Sequence, residues 1–276
     1  MTPAPSTPEA IAEEQRRGAA ESVASFANRY HYSVTLRIEG RIRFLSHLEM
    51  VDTLLGAFRR SGVHIALSEG MRPKPRIKMA MPRPVATEAW SDIVEVELRD
   101  EVGIDEFSLS LSEVLPAGLT LHNIERLEGV YASAASRVAG ATWRWTFDPA
   151  SVDATELASA IDHVRAASEV IIERASPGKR TRTVDVRRFL GDIDTSMNDD
   201  AEVVVRAFIR LTSEGSAKPD EVIRVLAAHL SGELRPRRTV RESIAIAEPN
   251  SGGQIAEPEL VGADVPDGPA KPWGAC

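Results

Sequence analysis

This chain of 276 residues contains two stretches in which strand patterns alternate with helical patterns. This alternation limits the folds that the chain can adopt. In the first, Val34, Leu36 and Ile38 alternate with polar residues, which is the two-residue period of a half-buried strand. A helical pattern follows over residues 48–58, and the second stretch repeats the theme from Trp143. The sequence therefore predicts an α+β fold of two ferredoxin-like halves, a duplication in which helices cover one face of each antiparallel sheet.

Domain boundaries are predicted where these patterns stop. The run from Gly129 to Ala141 consists of small residues without periodicity and separates the two stretches. Both ends of the chain are rich in Pro, Ala, Gly and Glu, a composition that predicts disordered tails. The predicted order is a tail at 1–28, a first half at 29–130, a linker at 131–141, a second half at 142–247 and a tail at 248–276.

Three segments of the first half are predicted as further strands. Residues 41–44 alternate arginine with apolar side chains after a turn at Gly40, which predicts a strand with its arginines outward. Residues 63–67 and 76–81 have the same two-residue period. A cationic loop should connect these last two strands.

Composition excludes several classes of function. The single cysteine is the last residue, Cys276, so one chain cannot build a disulfide, a zinc site of the CxxC type or an iron–sulfur cluster. The nucleotide-binding and hydrolase motifs GxGxxG, GxxxxGK[ST], HExxH and GxSxG are absent. Neither a membrane span nor a secretory signal is recognisable, so we expect a cytoplasmic protein that binds no membrane and, as a chain, no metal or cofactor.

Positive charge is concentrated in one part of an otherwise acidic protein. Residues 29–83 contain eleven Lys and Arg against four Asp and Glu, a balance of +7, whereas the whole chain has a net charge of −8. Binding to nucleic acid depends on cations that displace condensed counterions, so any such binding should be local to this segment.

A turn at the start of the predicted helix contains the first candidate residues. Ser46 and Glu49 fit the S-x-x-E capping box, and this structural role explains both of them. His47 would lie beside free backbone N–H groups at the positive end of the helix dipole, where an imidazole can contact an anion. We expect His47 to make a contact rather than to catalyse, because no second His, Asp or Lys is spaced to orient it.

A cationic loop supplies the second group of candidates. Two prolines alternate with basic residues here, which stiffens the backbone and keeps the cations pointing outward. A solvated charged surface is the ordinary interpretation of such a run, but its clustering with the arginines near residue 42 favours a phosphate-binding surface. The predicted phosphate-binding residues of the first half are Arg41, Arg43, Ser46, His47, Ser68, Glu69, Arg72, Lys74, Arg76 and Lys78.

The second half contains two further basic runs, at residues 179–188 and 235–241. Arg182 and Arg187 complete the candidate set. They could line one groove with the first half if the two halves pack sheet to sheet, which the sequence alone does not decide. Trp143 and Trp145 could stack on bases, but their alternation with polar residues favours a position in the core.

Three motifs together resemble a known family. They are the run Phe44–Glu49, the loop Ser68–Ile77 and the segment Leu115–Leu119. The chain resembles the uncharacterised bacterial DUF2344 family from about Tyr32 to Ile244. Members are described as linked to radical SAM enzymes, being fused to one or encoded beside one. Where the family is expected to have Gly-Phe-Asn-Pro-His-Pro, this chain has Gly-Met-Arg-Pro-Lys-Pro from Gly70, so an aromatic residue and a histidine are lost.

The resemblance implies a partner more than a mechanism. The expected function is that of a non-catalytic accessory or substrate-recognition protein for a separate radical SAM enzyme, with RNA or another phosphate-rich substrate bound by the basic residues. The [4Fe–4S] cluster and S-adenosylmethionine would belong to the partner, since this chain lacks the cysteine ligands. Two alternatives stay open: a metal-independent RNA endonuclease that uses His47, and a scaffold that contacts only protein.

Overall fold

The computed structural model describes residues 29–128, 132–176 and 178–247. In this part of the chain, nine strands form one mixed sheet and two form a separate hairpin. The strands are β1 Tyr30–Ile38, β2 Ile77–Met79, β3 Glu88–Leu98, β4 Leu119–Leu127, β5 Val138–Phe147, β6 Ile171–Ser176, β7 Lys179–Asp185, β8 Leu190–Met197, β9 Val203–Thr212, β10 Gly215–Ser216 and β11 Arg238–Ile246. The α-helices are α1 His47–Arg60, α2 Ile104–Val114, α3 Ala134–Arg137, α4 Ala154–Ala166 and α5 Pro219–Ala227.

The two halves have the same topology. In the first, β1, α1, β2, β3, α2 and β4 follow one another, and the strands are ordered β2-β3-β1-β4 with antiparallel neighbours. In the second, β5, α4, β8, β9, α5 and β11 give the order β8-β9-β5-β11, again antiparallel. The predicted α+β class with two ferredoxin-like halves is confirmed.

The halves meet edge to edge and not sheet to sheet. Strand β11 pairs with β3 in parallel, with Val240 opposite Glu88 and Arg241 opposite Ala89. The side chain of Arg241 is fully buried and donates two hydrogen bonds to Asp92 and two to the carbonyls of residues 81 and 82. A single continuous sheet results, so the halves do not face each other across a groove, a question that the sequence left open.

Each half has its own core on the helical side of the sheet. In the first, α1 and α2 contribute Leu54, Phe58 and Phe107 to a cluster with the apolar residues of β1 and β3. In the second, Trp143 and Trp145 are buried among side chains of α4 and α5. The prediction that these tryptophans are core residues is confirmed.

The structure differs from the local predictions at four places. Residues 41–44 are not a strand but lie in a 3-10 helix, Gly40–Phe44, which starts at a glycine with φ +64°. Residues 63–67 form only isolated bridges, through Ile65 and Leu67, because the chain there turns away into the cationic loop. Strand β8 was not predicted. The helix α3 and the start of β5 lie within the predicted linker.

The predicted tails and residues 129–131 lie outside the described residues. Among the helices that the structure describes, none combines the length and the apolar character that crossing a bilayer requires.

Candidate functional site

The turn that begins α1 has the capping geometry that the sequence predicts. The Ser46 N–H donates to Glu49 Oε2 at 2.8 Å, and the Glu49 N–H donates to Ser46 Oγ at 3.4 Å. Hydrogen bonds from the side chain and backbone of Ser46 lower the pKa of Glu49. Both residues are therefore explained by helix capping.

His47, the first residue of α1, is half-buried. Its Nδ1 atom is buried and has no hydrogen-bond partner among the described residues. A general base needs a group that fixes its tautomer and orientation, and no such group contacts this nitrogen. The endonuclease hypothesis therefore rests on His47 alone.

The arginines of the 3-10 helix differ in their partners. Arg41 is exposed and makes no side-chain hydrogen bond or ion pair within the described ranges. Arg43 donates to Glu88 Oε1 at 3.0 Å, and its guanidinium lies 4.8 Å from the centroid of the Phe44 ring. Only Arg41 thus keeps an uncompensated positive charge here.

A buried arginine shapes this turn and was missed by the sequence analysis. Arg83 is 6% exposed, and its guanidinium donates to the carbonyls of Arg43, Leu45 and Thr87. Burial lowers its pKa, an effect that the nearby Asp92 opposes. Because these acceptors are backbone atoms, no sequence pattern could have identified Arg83.

Exposed apolar side chains surround the same turn. Phe44 is 54% exposed, Leu48 is 74% exposed and Val85 is 55% exposed. The Ala86 N–H donates to the Arg43 carbonyl, which brings Val85 to this end of the sheet. We call these three residues the apolar patch.

The cationic loop is closed by hydrogen bonds between its two ends. The Ser68 N–H donates to the Lys74 carbonyl at 2.7 Å, and the Lys74 N–H donates to Ser68 Oγ at 2.9 Å. Leu67 and Pro75 form a bridge below this pair, and Gly70 adopts φ +104° at the turn. The predicted candidate Ser68 therefore has a structural role in fixing the loop.

The cations near the base of the loop have partners within the fold, whereas those at its tip have none among the described residues. Arg76 pairs with Glu97 at 3.1 Å, and Glu69 accepts from Arg29 at 3.2 Å. Lys78 donates to Ser133 Oγ at 3.2 Å. By contrast, Arg72 and Lys74 are exposed, and neither side chain has a partner in the part of the chain that the structure describes. We call Arg72 and Lys74 the tip cations.

The structure separates the turn from the loop, which corrects the expectation of one basic surface. The turn adjoins the end of the sheet where Ile38 pairs with Ala89. The loop adjoins the opposite end, since the Ala66 N–H donates to the Glu97 carbonyl. Strand β1 has nine residues between these ends, about 26 Å at the usual rise. The physical reason is α1, whose 14 residues carry the chain about 20 Å along the sheet before the loop begins.

The candidates of the second half lie in and just after the β6–β7 hairpin. Arg182 is exposed on β7, opposite Arg174 of β6. Arg187 donates to the Leu190 carbonyl at 2.8 Å, so its guanidinium is engaged within the fold. The third basic run is also engaged: Arg238 pairs with Glu88, and the fully buried Arg241 pairs with Asp92.

The face of the sheet opposite α1 and α2 contains an arrangement that the sequence did not predict. The guanidinium groups of Arg37, Arg144 and Arg238 lie 5.5 to 5.9 Å from the centroid of the Trp90 ring. Trp90 is 3% exposed beneath them. These arginines come from three strands that are distant in sequence. Among the described residues, no group of three or more His, Cys, Asp or Glu could hold a metal ion.

One family model matches the chain. It is described as "Uncharacterized protein conserved in bacteria (DUF2344)" and matches residues 31–219. The comparison with curated proteins gives no match.

Two solved structures are similar at low identity. One is a chain of "Crystal Structure of a Cbf5-Nop10-Gar1 Complex", with 10% identity and a TM-score of 0.44; the match covers 77% of this chain and 48% of that one. This chain therefore spans about half the length of that relative. The other is "Crystal structure of putative glycine cleavage system transcriptional repressor", with 9% identity, a TM-score of 0.21 and coverage of 72% and 90%.

Proposed function

This chain belongs to the DUF2344 family of uncharacterised bacterial proteins, and we propose that it is a non-catalytic accessory protein for a separate radical SAM enzyme. Its role would be to recognise a phosphate-rich substrate, and RNA is the substrate that we propose. The partnership rests on the resemblance to a family linked to radical SAM enzymes. The substrate class rests on the charges of the cationic loop.

The observation that carries the proposal is the pair of tip cations. Arg72 and Lys74 flank Pro73 on a loop whose ends are fixed by two hydrogen bonds. Cations on a preformed loop lose less conformational entropy when they meet phosphates than cations on a mobile segment. Because no carboxylate of the described residues pairs with them, they are free to displace counterions from a polyanion.

The apolar patch gives a second surface, at the other end of the sheet. Exposed Phe44, Leu48 and Val85 lie beside Arg41 and Arg43, a combination of apolar, aromatic and arginine residues that is frequent in protein interfaces. We assign this surface to the partner enzyme. The separation along β1 and α1 then allows one molecule to contact enzyme and substrate together.

The cysteine content indicates which of the two proteins would bind the iron–sulfur cluster. A radical SAM enzyme holds its [4Fe–4S] cluster with cysteine thiolates, and this chain has one cysteine in all. The cluster and S-adenosylmethionine would therefore be bound by the partner. Under this proposal the chain supplies recognition and positioning.

The substrate assignment is tested by reversing the tip charges. Arg72→Glu/Lys74→Glu should weaken retention of single-stranded RNA by the purified full chain and leave its melting temperature unchanged, because both side chains are exposed and have no partner among the described residues. The matched control is Arg235→Glu/Arg237→Glu, the same charge change at two exposed arginines that already face carboxylates. Retention by the tip variant equal to that of the natural chain would reject the substrate assignment.

A protein-only scaffold is the second candidate, and the apolar patch favours it. Affinity purification from the native host, with and without nuclease treatment, distinguishes the two functions. Recovery of a radical SAM enzyme together with crosslinked RNA supports the proposal. Recovery of the enzyme alone, unchanged by nuclease and without crosslinked RNA, supports the scaffold.

A further inference from the structure

A cavity of about 200 Å³ lies in the second half, between the β6–β7 hairpin and the turn that joins β9 to β10. Three guanidinium groups line it, those of Arg174, Arg182 and Arg188, together with Thr183 and Glu214. Three arginines around so small a space repel one another unless carboxylates or a bound anion compensate them. The partners of each arginine therefore decide what the cavity can hold.

Arg174 is compensated by protein. Its guanidinium donates to both carboxylate oxygens of Glu221, at 2.6 and 2.5 Å, and to the Ser216 carbonyl at 2.9 Å. Glu221 is 2% exposed, so this pair is fixed within the fold. The hydrogen bonds to Glu221 raise the pKa of Arg174, which stays charged at the back of the cavity.

Arg188 is compensated only weakly. It donates to Glu214 at 2.6 Å, but the two side chains are 59% and 61% exposed. Exposed ion pairs of this kind contribute about 0 to 1 kcal/mol, since water competes for both charges. Arg188 can therefore exchange Glu214 for another anion at little cost.

Arg182 has no protein partner within the described ranges, although it lies opposite Arg174 on the hairpin. The remaining carboxylate at the cavity, Asp185, accepts from the N–H groups of Val170 and Arg187 through Oδ1. Its charge is thus partly satisfied by the backbone. The lining as a whole offers more unused donors than unused acceptors.

From this geometry we infer that the cavity binds one phosphate group, held by Arg182 and Arg188. A planar guanidinium matches two phosphate oxygens, and two such groups suit a dianionic phosphate better than a singly charged diester. Ligand pockets for drug-sized molecules have about 300 to 1,000 Å³, so this smaller cavity fits a phosphate and not a whole nucleotide. We further infer that the bound phosphate is the terminal monoester of an RNA, and this part of the inference rests on the proposed function.

The experiment is a calorimetric titration of the full chain with inorganic phosphate, and separately with a short RNA bearing or lacking a 5′-terminal phosphate. Saturable binding of inorganic phosphate is expected, and Arg182→Gln should weaken it about 10-fold or more, the usual effect of losing a charged hydrogen bond. Glu214→Gln should strengthen it, because Arg188 is then released from its carboxylate. Arg180→Gln is the matched control, since Arg180 is exposed on the same hairpin but does not line the cavity.

The outcomes separate this inference from the proposed function. A site that binds inorganic phosphate and responds to Arg182→Gln supports the cavity, even if the tip variant leaves RNA retention unchanged and the proposed function fails. Tighter binding of the 5′-phosphorylated RNA identifies a terminal monoester as the source; equal binding of both RNAs identifies free phosphate. No saturable binding, or equal weakening by Arg180→Gln and Arg182→Gln, overturns the inference.

Discussion

The ion pair between Arg241 and Asp92 connects the two halves of the sheet, and Asp92→Ala is expected to destabilise the whole fold. The two side chains are 0% and 1% exposed, and Arg241 donates to both carboxylate oxygens, at 2.9 and 2.8 Å. Removing the carboxylate leaves a buried guanidinium uncompensated and close to a second buried cation, Arg83. Breaking a buried pair in this way costs about 3 to 5 kcal/mol.

The measurement is urea unfolding of the full chain, followed by intrinsic fluorescence. At about 2 to 4 °C per kcal/mol for a chain of this size, the same loss corresponds to a melting temperature lower by about 6 to 20 °C. Asp92→Leu/Arg241→Met should recover most of the stability, because apolar residues of similar volume can replace a buried pair. Glu214→Ala, at an exposed pair, is the control and should cost about 0 to 1 kcal/mol.

A loss below about 1 kcal/mol for Asp92→Ala would show that the fold does not need this ion pair, because water or another carboxylate then reaches Arg241. Two separate unfolding transitions in the natural chain would also contradict it. A continuous sheet joined by a buried pair should unfold as one cooperative unit.

Three further predictions concern single positions. Ser46→Ala should cost about 1 kcal/mol, measured by urea unfolding, because the cap of α1 is lost. Gly118→Ala should cost about 1 to 3 kcal/mol, since φ is +94° and the new Cβ would lie 2.5 Å from the Glu39 carbonyl oxygen. Burial alone would raise the pKa of Glu221, but hydrogen bonds from Arg174 and the Lys218 N–H outweigh it, so its pKa lies below 4.5. The ionised Glu221 therefore contributes its full stabilisation above pH 4.5, and this stabilisation is lost as the pH falls through the pKa of the folded state. Glu221→Gln should thus lower the free energy of unfolding less at about pH 3.5 than at about pH 7.

Each of these has a contrary outcome. A chain with Ser46→Asp should retain its stability, because aspartate also caps a helix, and an equal loss would argue against capping. A Gly118→Ala chain as stable as the natural one would show that the loop relaxes freely. A cost of Glu221→Gln that does not change with pH would show that the carboxylate is not paired in its charged form.

Local patterns could be predicted from the sequence, and long-range pairing could not. The capping box of α1 depends on residues three apart, and the burial of Trp143 and Trp145 depends on an alternation within one strand. Strand β8 was missed because its sequence, with Asp192 and Asp194, lacks a regular apolar period.

The candidate site shows the same limit. The residue types of the loop and the turn were recognisable, but the carboxylates that neutralise Arg43 and Arg76 are 45 and 21 residues away in the chain. The positions of these carboxylates depend on strand register. The separation of turn and loop depends on the direction of α1, which packs across the sheet and reverses the chain relative to β1. That the tip cations and Arg182 have no partner among the described residues is therefore evident only from the fold.

If Arg72 and Lys74 contact the phosphates of the substrate, RNA binding should depend on salt through these two residues. Each phosphate contact on a single strand contributes about 0.7 to the slope of log K against log salt concentration, so Arg72→Glu/Lys74→Glu should lower the slope by about 1.4 or more. The Arg235→Glu/Arg237→Glu control should retain the natural slope. RNA binding by the natural chain that does not depend on salt, or an unchanged slope for the tip variant, would show that Arg72 and Lys74 do not contact phosphates.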